Sequence, residues 1–153
     1  FQYLVTFGMG AREMPEFVSY DGDDLSRLEL YFMLSKNCKL TDKDKLIIAS
    51  ELQNIAKYPF RENTFFAPGH TINVAKEFKE RFGYDYVLFF VPEERLFVEG
   101  LGNVFFTLLI PIYEKEREWM VENNSFDWLI PFFEKYDMDD VVLDKKREEF
   151  IPY

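Results

Sequence analysis

The sequence has one cysteine, Cys38, and one histidine, His70, among 153 residues. A single cysteine cannot close an intramolecular disulfide, which suits a reducing, cytoplasmic setting. A metal centre needs three or four ligands, and here carboxylates would have to supply most of them. Neither a metal nor a cofactor is expected. Glycine and proline stand at only seven each, too few for a collagenous or disordered chain. No signal peptide is visible, and the longest apolar run, Val104 to Tyr113, is about half the ~20 residues a bilayer requires. No membrane association is expected. Positive charge is also short: 18 Lys and Arg face 28 Asp and Glu, for a net charge of −10. Phosphate-rich partners are repelled by such a surface, so nucleic-acid binding is disfavoured, whereas a basic protein partner is compatible with it.

Aromatics are what the chain has in excess, with 18 phenylalanines, nine tyrosines and two tryptophans. Most must build a core, and the length fits one domain over 1–153. The chain begins at Phe1 without an initiator methionine, so an upstream segment is expected.

Alternation predicts a strand over Phe1 to Phe7, ended by Gly8 and Gly10, and a second over Leu28 to Leu34. The polar connection between them carries Asp21, Asp23 and Asp24. Thr41 or Asp42 can cap a helix reaching about Lys57, with Ile48, Leu52, Ile55 and Ala56 as its apolar seam. Pro59 should stop that helix. Val74 to Phe82 has helical character ended by Gly83. Tyr86 to Val91 reads as a buried strand, and Leu96 to Val98 with Val104 to Ile112 reads as a hairpin about Gly100 to Asn103. Two helices follow, Glu114 to Glu122 and one capped by Ser125, the latter kinked or started late by Pro131; Val141 to Leu143 reads as a short last strand. Strands grouped rather than strictly alternating with helices predict an α+β fold, with a central mixed or mostly antiparallel sheet flanked by helices.

The segment from Lys57 to Asn73 is the least periodic and the richest in signals. Pro68-Gly69 is the pair a type II turn needs, proline presetting the first central residue and glycine supplying φ > 0 at the second. His70 and Thr71 leave that turn in a fixed direction, so a shaped, aromatic-rich functional face is expected here. Catalysis finds little support. Thr64 and Thr71 lie near His70 in sequence, but no nucleophile-elbow pattern exists. Asp21, Asp23 and Asp24, and separately Asp137, Asp139 and Glu148, miss the glycine and closing ligand of a calcium loop. The glycine pairs lack the lysine of a phosphate-binding loop. Glu93-Glu94 and Glu114/Glu116/Glu118 read as solvated surface, and Cys38 as an incidental thiol. His70 reads first as a ring tying its loop to backbone groups, and no catalytic residue is assigned.

Several motifs in order resemble the suppressor of fused (SUFU) family: Tyr3-Leu4-Val5-Thr6-Phe7-Gly8-Met9, Leu28-Glu29-Leu30, Lys57-Tyr58-Pro59, Glu62-Asn63-Thr64-Phe65, Gly69-His70-Thr71-Ile72, Leu88 to Pro92, Ile110-Pro111-Ile112-Tyr113, and Val142-Leu143-Asp144 with Arg147. The resemblance implies a SUFU-like fold and protein binding rather than catalysis. Animal members sequester a transcription factor; single-domain bacterial members resemble immunity proteins that neutralise toxins, and this chain's size and acidity place it nearer to them. In the animal branch the loop matching Tyr58 to His70 helps grip a peptide that pairs with the sheet. Carried over by motif position, the partner-binding residues are Tyr58, Asn63, Phe65, Gly69, His70 and Thr71. Two alternatives stay open: a hydrolase or small-ligand site around His70, Asn63 and Thr71, and a regulatory scaffold that holds a transcription factor.

Overall fold

The longest strand sets the architecture. In a computed structural model that describes residues 1–15 and 23–153, β6 (Gly102–Ile112) is an eleven-residue strand at the centre of a six-stranded sheet. Its almost unbroken apolar sequence fits a strand covered on both faces. The sheet order is β1 (Gln2–Val5), β2 (Leu28–Leu34), β6, β4 (Tyr86–Phe90), β3 (Thr71–Asn73), with β5 (Arg95–Val98) also paired to β6. Only the β2–β6 pair is parallel. Phe105 lies between Leu28 and Arg95, and Leu108 between Tyr31 and Phe90, so β4 and β5 run end to end along one side of β6. The mixed, mostly antiparallel α+β sheet is the expected one.

Helices cover both faces. On one, α1 (Asp42–Arg61) and α2 (Lys76–Phe82) place Ile47, Ile48, Leu52, Ile55, Phe78 and Phe82 against Leu30, Phe32, Val87 and Phe89. On the other, α3 (Glu114–Glu122) and α4 (Ser125–Lys135) bring Met120, Trp128 and Phe132 onto Leu88, Leu108, Ile110 and Ile112. The predicted cap of α1 is present: the Asp44 N–H donates to Thr41 Oγ1 at 3.1 Å and the Thr41 N–H donates to Asp44 Oδ2 at 3.2 Å. Asp44 also accepts from Arg81 Nε at 2.6 Å, which ties α1 to α2 and holds the Asp44 carboxyl down at about 2.

Four expectations require correction. The helix α1 does not stop before Pro59; it runs to Arg61 with Pro59 buried inside its last turns. The Thr64 N–H bonds the Pro59 carbonyl at 2.9 Å with Asn63 at φ 50°, the left-handed closure common at helix ends. Asn124, not Ser125, caps α4, its side chain accepting from the Phe126 N–H. Val141 to Leu143 is not a strand but a buried plug, held where the Leu143 N–H reaches the Met33 carbonyl at 2.8 Å. Parallel pairing with β6 covers β2 only from Leu28 to Tyr31, so beyond it one tail hydrogen bond takes the place of a ladder. Glu116 is not solvated surface: it is fully buried and paired with Arg147. Asp21 lies outside the described residues.

Candidate functional site

The end of α1, the loop after it and the start of β3 converge at one edge of the sheet. Asn63 takes the left-handed turn that releases the chain from α1, a conformation asparagine adopts more readily than most residues. The chain then presents two adjacent phenylalanines that differ in burial. Phe66 is buried and stacks on Phe89 at 4.2 Å between ring centroids and on Tyr58 at 5.8 Å; Phe65 is half-buried and lies 5.6 Å from the His70 ring. Sequence alone could not say which of the pair would face in.

The turn at Pro68-Gly69 forms as predicted, with Gly69 at φ 85° and the His70 N–H bonding the Ala67 carbonyl at 3.1 Å. Phe89 accepts from the Gly69 N–H and donates to the His70 carbonyl, both at 2.9 Å. Two residues thus oppose one, as in a glycine bulge, and this aims the loop away from the sheet. A side chain at position 69 would press on Phe126 and Ser125, each 3.3 Å from where its Cβ would stand. Ser125 Oγ donates to the Gly69 carbonyl at 2.6 Å, which locks the turn to α4.

His70 carries the hydrogen bond expected of a loop-tying ring: its Nδ1 accepts from the Ala67 N–H at 3.2 Å. Desolvation pulls its pKa below the ordinary 6.5, against an opposing hydrogen bond with the Phe65 backbone. A depressed histidine pKa means that the unfolded chain takes up the proton more readily. Stability is therefore full above about pH 6.5 and is lost as pH falls through that range. Melting temperatures measured between about pH 7.5 and pH 5 should fall less steeply for His70→Gln than for the unsubstituted chain; equal slopes would remove His70 from the account.

Beyond the turn, β3 is the free edge of the sheet. The carbonyl of His70 and the N–H of Val74 bond into the β4 side, to Phe89 and Asp85, and antiparallel residues alternate. Thr71 and Asn73 therefore turn their N–H and C=O groups outward. A cleft of about 400 Å³ runs beside this edge, lined by Tyr58, Phe65, Phe66, Gly69, His70 and Thr71 from the loop side. Its other wall is Met120, Val121 and Ser125. Of the six residues expected at a binding face, five line one cleft, and Asn63 shapes the loop behind them. Nothing local marked the wall from α3 and α4, because those residues lie more than forty positions away in sequence. Among the described residues no group of three His, Cys, Asp or Glu side chains is arranged to hold a metal, and no helix is long and apolar enough to cross a membrane.

Helices on both faces of a mixed sheet, with a cleft beside a free strand edge, define an α+β protein. The chain belongs to the suppressor of fused family: the family model, Suppressor of fused protein (SUFU), matches residues 1–148. Two solved structures share the fold. The Sufu-Fu complex matches with a TM-score of 0.63 and 18% identity over 95% of this chain and 68% of that one. Drosophila Suppressor of Fused matches with a TM-score of 0.64 and 18% identity over 95% of this chain, which spans 38% of that one. No curated protein matches.

Proposed function

We propose that this chain is a non-catalytic protein-binding domain that grips an extended segment of its partner along β3, and that it acts as an immunity protein neutralising a toxin. The free edge of β3 beside the aromatic cleft carries this reading. Outward N–H and C=O groups at Thr71 and Asn73 supply a ladder for an added strand, and the cleft supplies a pocket for alternate side chains. Tyr58 and Phe65 form the aromatic wall, His70 holds the turn, and Gly69 lets the turn approach α4. The likeness to a Sufu-Fu complex supports a protein partner. A net charge of −10 is compatible with a basic toxin.

Co-expression with the product of the adjacent gene tests the toxin reading. Growth should be inhibited by that product alone and restored by this protein. Tyr58→Ala with Phe65→Ala should abolish rescue and co-purification while leaving the fold intact. An adjacent product that is harmless, or rescue that survives the double substitution, would refute the reading. A small molecule that raised the melting temperature in place of any protein partner would shift the assignment to a ligand site around His70.

A further inference from the structure

The opposite edge of the sheet carries a second open groove, and this one is lined by cations. The Thr6 N–H bonds the Leu30 carbonyl at 2.8 Å, so by antiparallel alternation Gln2, Leu4 and Thr6 face β2. Tyr3 and Val5 must then direct their N–H and C=O groups outward along the free edge of β1. Natural edge strands are commonly blunted by lysine, proline or a covering loop. Gln2–Val5 has neither charge nor proline, and its outer side chains Tyr3 and Val5 are 56% and 45% exposed.

Between that edge and α1 lies a groove of about 430 Å³. Its floor is apolar, formed by Leu4, Met9, Ile48, Leu52 and Ala56. Its rim is cationic: Arg12, Lys45 and Lys57 line it, and Lys39 joins Lys45 in the adjoining hollow beside Gln2 and Tyr3. No aspartate or glutamate lines either one, although acids outnumber bases in the chain by 28 to 18. None of the four cations takes part in an ion pair among the described residues; Arg12 instead lies over the Phe60 ring at 4.5 Å. Glu29 fixes the lip of the groove by accepting from the Gly8 N–H at 2.8 Å and the Gly10 N–H at 3.0 Å, so the end of the edge is preformed.

We propose that the β1 edge and this groove form a second docking site, which takes an extended acidic segment of a partner protein by strand addition. Alternate side chains of that segment lie on the apolar floor, and its carboxylates meet Lys39, Lys45, Lys57 and Arg12. Main-chain bonds to Tyr3 and Val5 set the register. Charge selects this occupant. A second copy paired through β1 would bring both cationic rims together, and a basic segment would meet the same repulsion. The site is separate from the β3 cleft and stands whatever partner that cleft takes.

The test uses the full 153-residue chain and two synthetic peptides, acetyl-(Glu-Val)₃-Glu-amide and its lysine counterpart, titrated by amide NMR and fluorescence anisotropy. The acidic peptide should shift the amides of Tyr3, Val5 and the α1 residues facing the groove, and its binding should weaken with salt. Val5→Pro removes one outward N–H while sparing the ladder to β2, and should weaken binding about tenfold, the equivalent of ~1.4 kcal/mol. Lys45→Glu with Lys57→Glu alters only exposed positions and should weaken it at least as much. The lysine peptide should not bind. The proposal fails if both variants bind the acidic peptide unchanged, if the shifts map to β3, or if the lysine peptide binds equally well. It also fails if the unliganded protein is a dimer that Val5→Pro converts to a monomer.

Discussion

Replacing Arg147 with Met is expected to cost about 3–5 kcal/mol of folding stability, the usual consequence of removing one partner from a buried ion pair. Arg147 and Glu116 are 2% and 0% exposed at their side chains. The guanidinium donates to Glu116 Oε1 at 2.5 Å and Oε2 at 2.8 Å, and to the Pro111 carbonyl at 3.0 Å. Glu116 also accepts from the Tyr113 N–H, which caps α3, and from the Phe150 N–H, which docks the tail, both at 2.8 Å. Arg147 lies over the rings of Tyr113, Trp128 and Phe132. Without Arg147 a carboxylate remains in a site with no solvent access and no cation. Replacing both members, Glu116→Gln with Arg147→Met, should cost much less than the sum of the two single changes, because no uncompensated charge is left. Urea denaturation midpoints of the two single variants and the double variant measure this directly. A loss below about 1 kcal/mol for Arg147→Met would place the pair among ordinary surface bridges. The change should reach the cleft as well, since α3 and α4 form its far wall.

The second large effect separates scaffold from contact within one dipeptide. Phe66→Ala is expected to destabilise by about 3–5 kcal/mol, the range for truncating a buried phenylalanine. Its ring is stacked between Tyr58 and Phe89, and its N–H meets the sulfur of Met14 at 3.4 Å. Phe65→Ala, one residue earlier and half-buried, should cost within about 1 kcal/mol of stability but should lose partner capture. Denaturation curves and co-purification measured on both variants give the comparison. Equal destabilisation by the two substitutions would mean that Phe65 is part of the core and not a contact. A Phe65→Ala variant that still captured the partner would remove it from the binding face.

The elements read correctly from sequence are those whose apolar pattern extends over several residues. β2 was read from an alternation over seven residues, although both of its faces and not one are buried. β6 is apolar for most of eleven, long enough for the pattern to outweigh local preferences. The turn at Pro68-Gly69 was equally legible because its dihedral angles belong to those two residues and need no neighbour. The failures have physical causes of their own. β3 has three residues, Thr71, Ile72 and Asn73, and is extended only because β4 lies beside it. Pro59 was read as a stop, yet burying it against the core and closing the turn at Asn63 hold the helix two residues further. Glu116 sits in a run of charged residues and read as surface until the tail brought Arg147 to it from 31 positions away.

By itself the sequence determined the classes of elements, the turn that aims His70 and the ordered motifs of the family, since each depends on residues close in the chain. It also located the loop that lines one side of the cleft. Only the tertiary structure decided which strand edges stay open, which phenylalanine of the pair is stacked into the core, and that four cations border a groove on an acidic protein. Those features arise where β1 meets α1, and where β3 meets α3 and α4. Burial and unpaired edges are set by which distant elements pack together, and no local period records that.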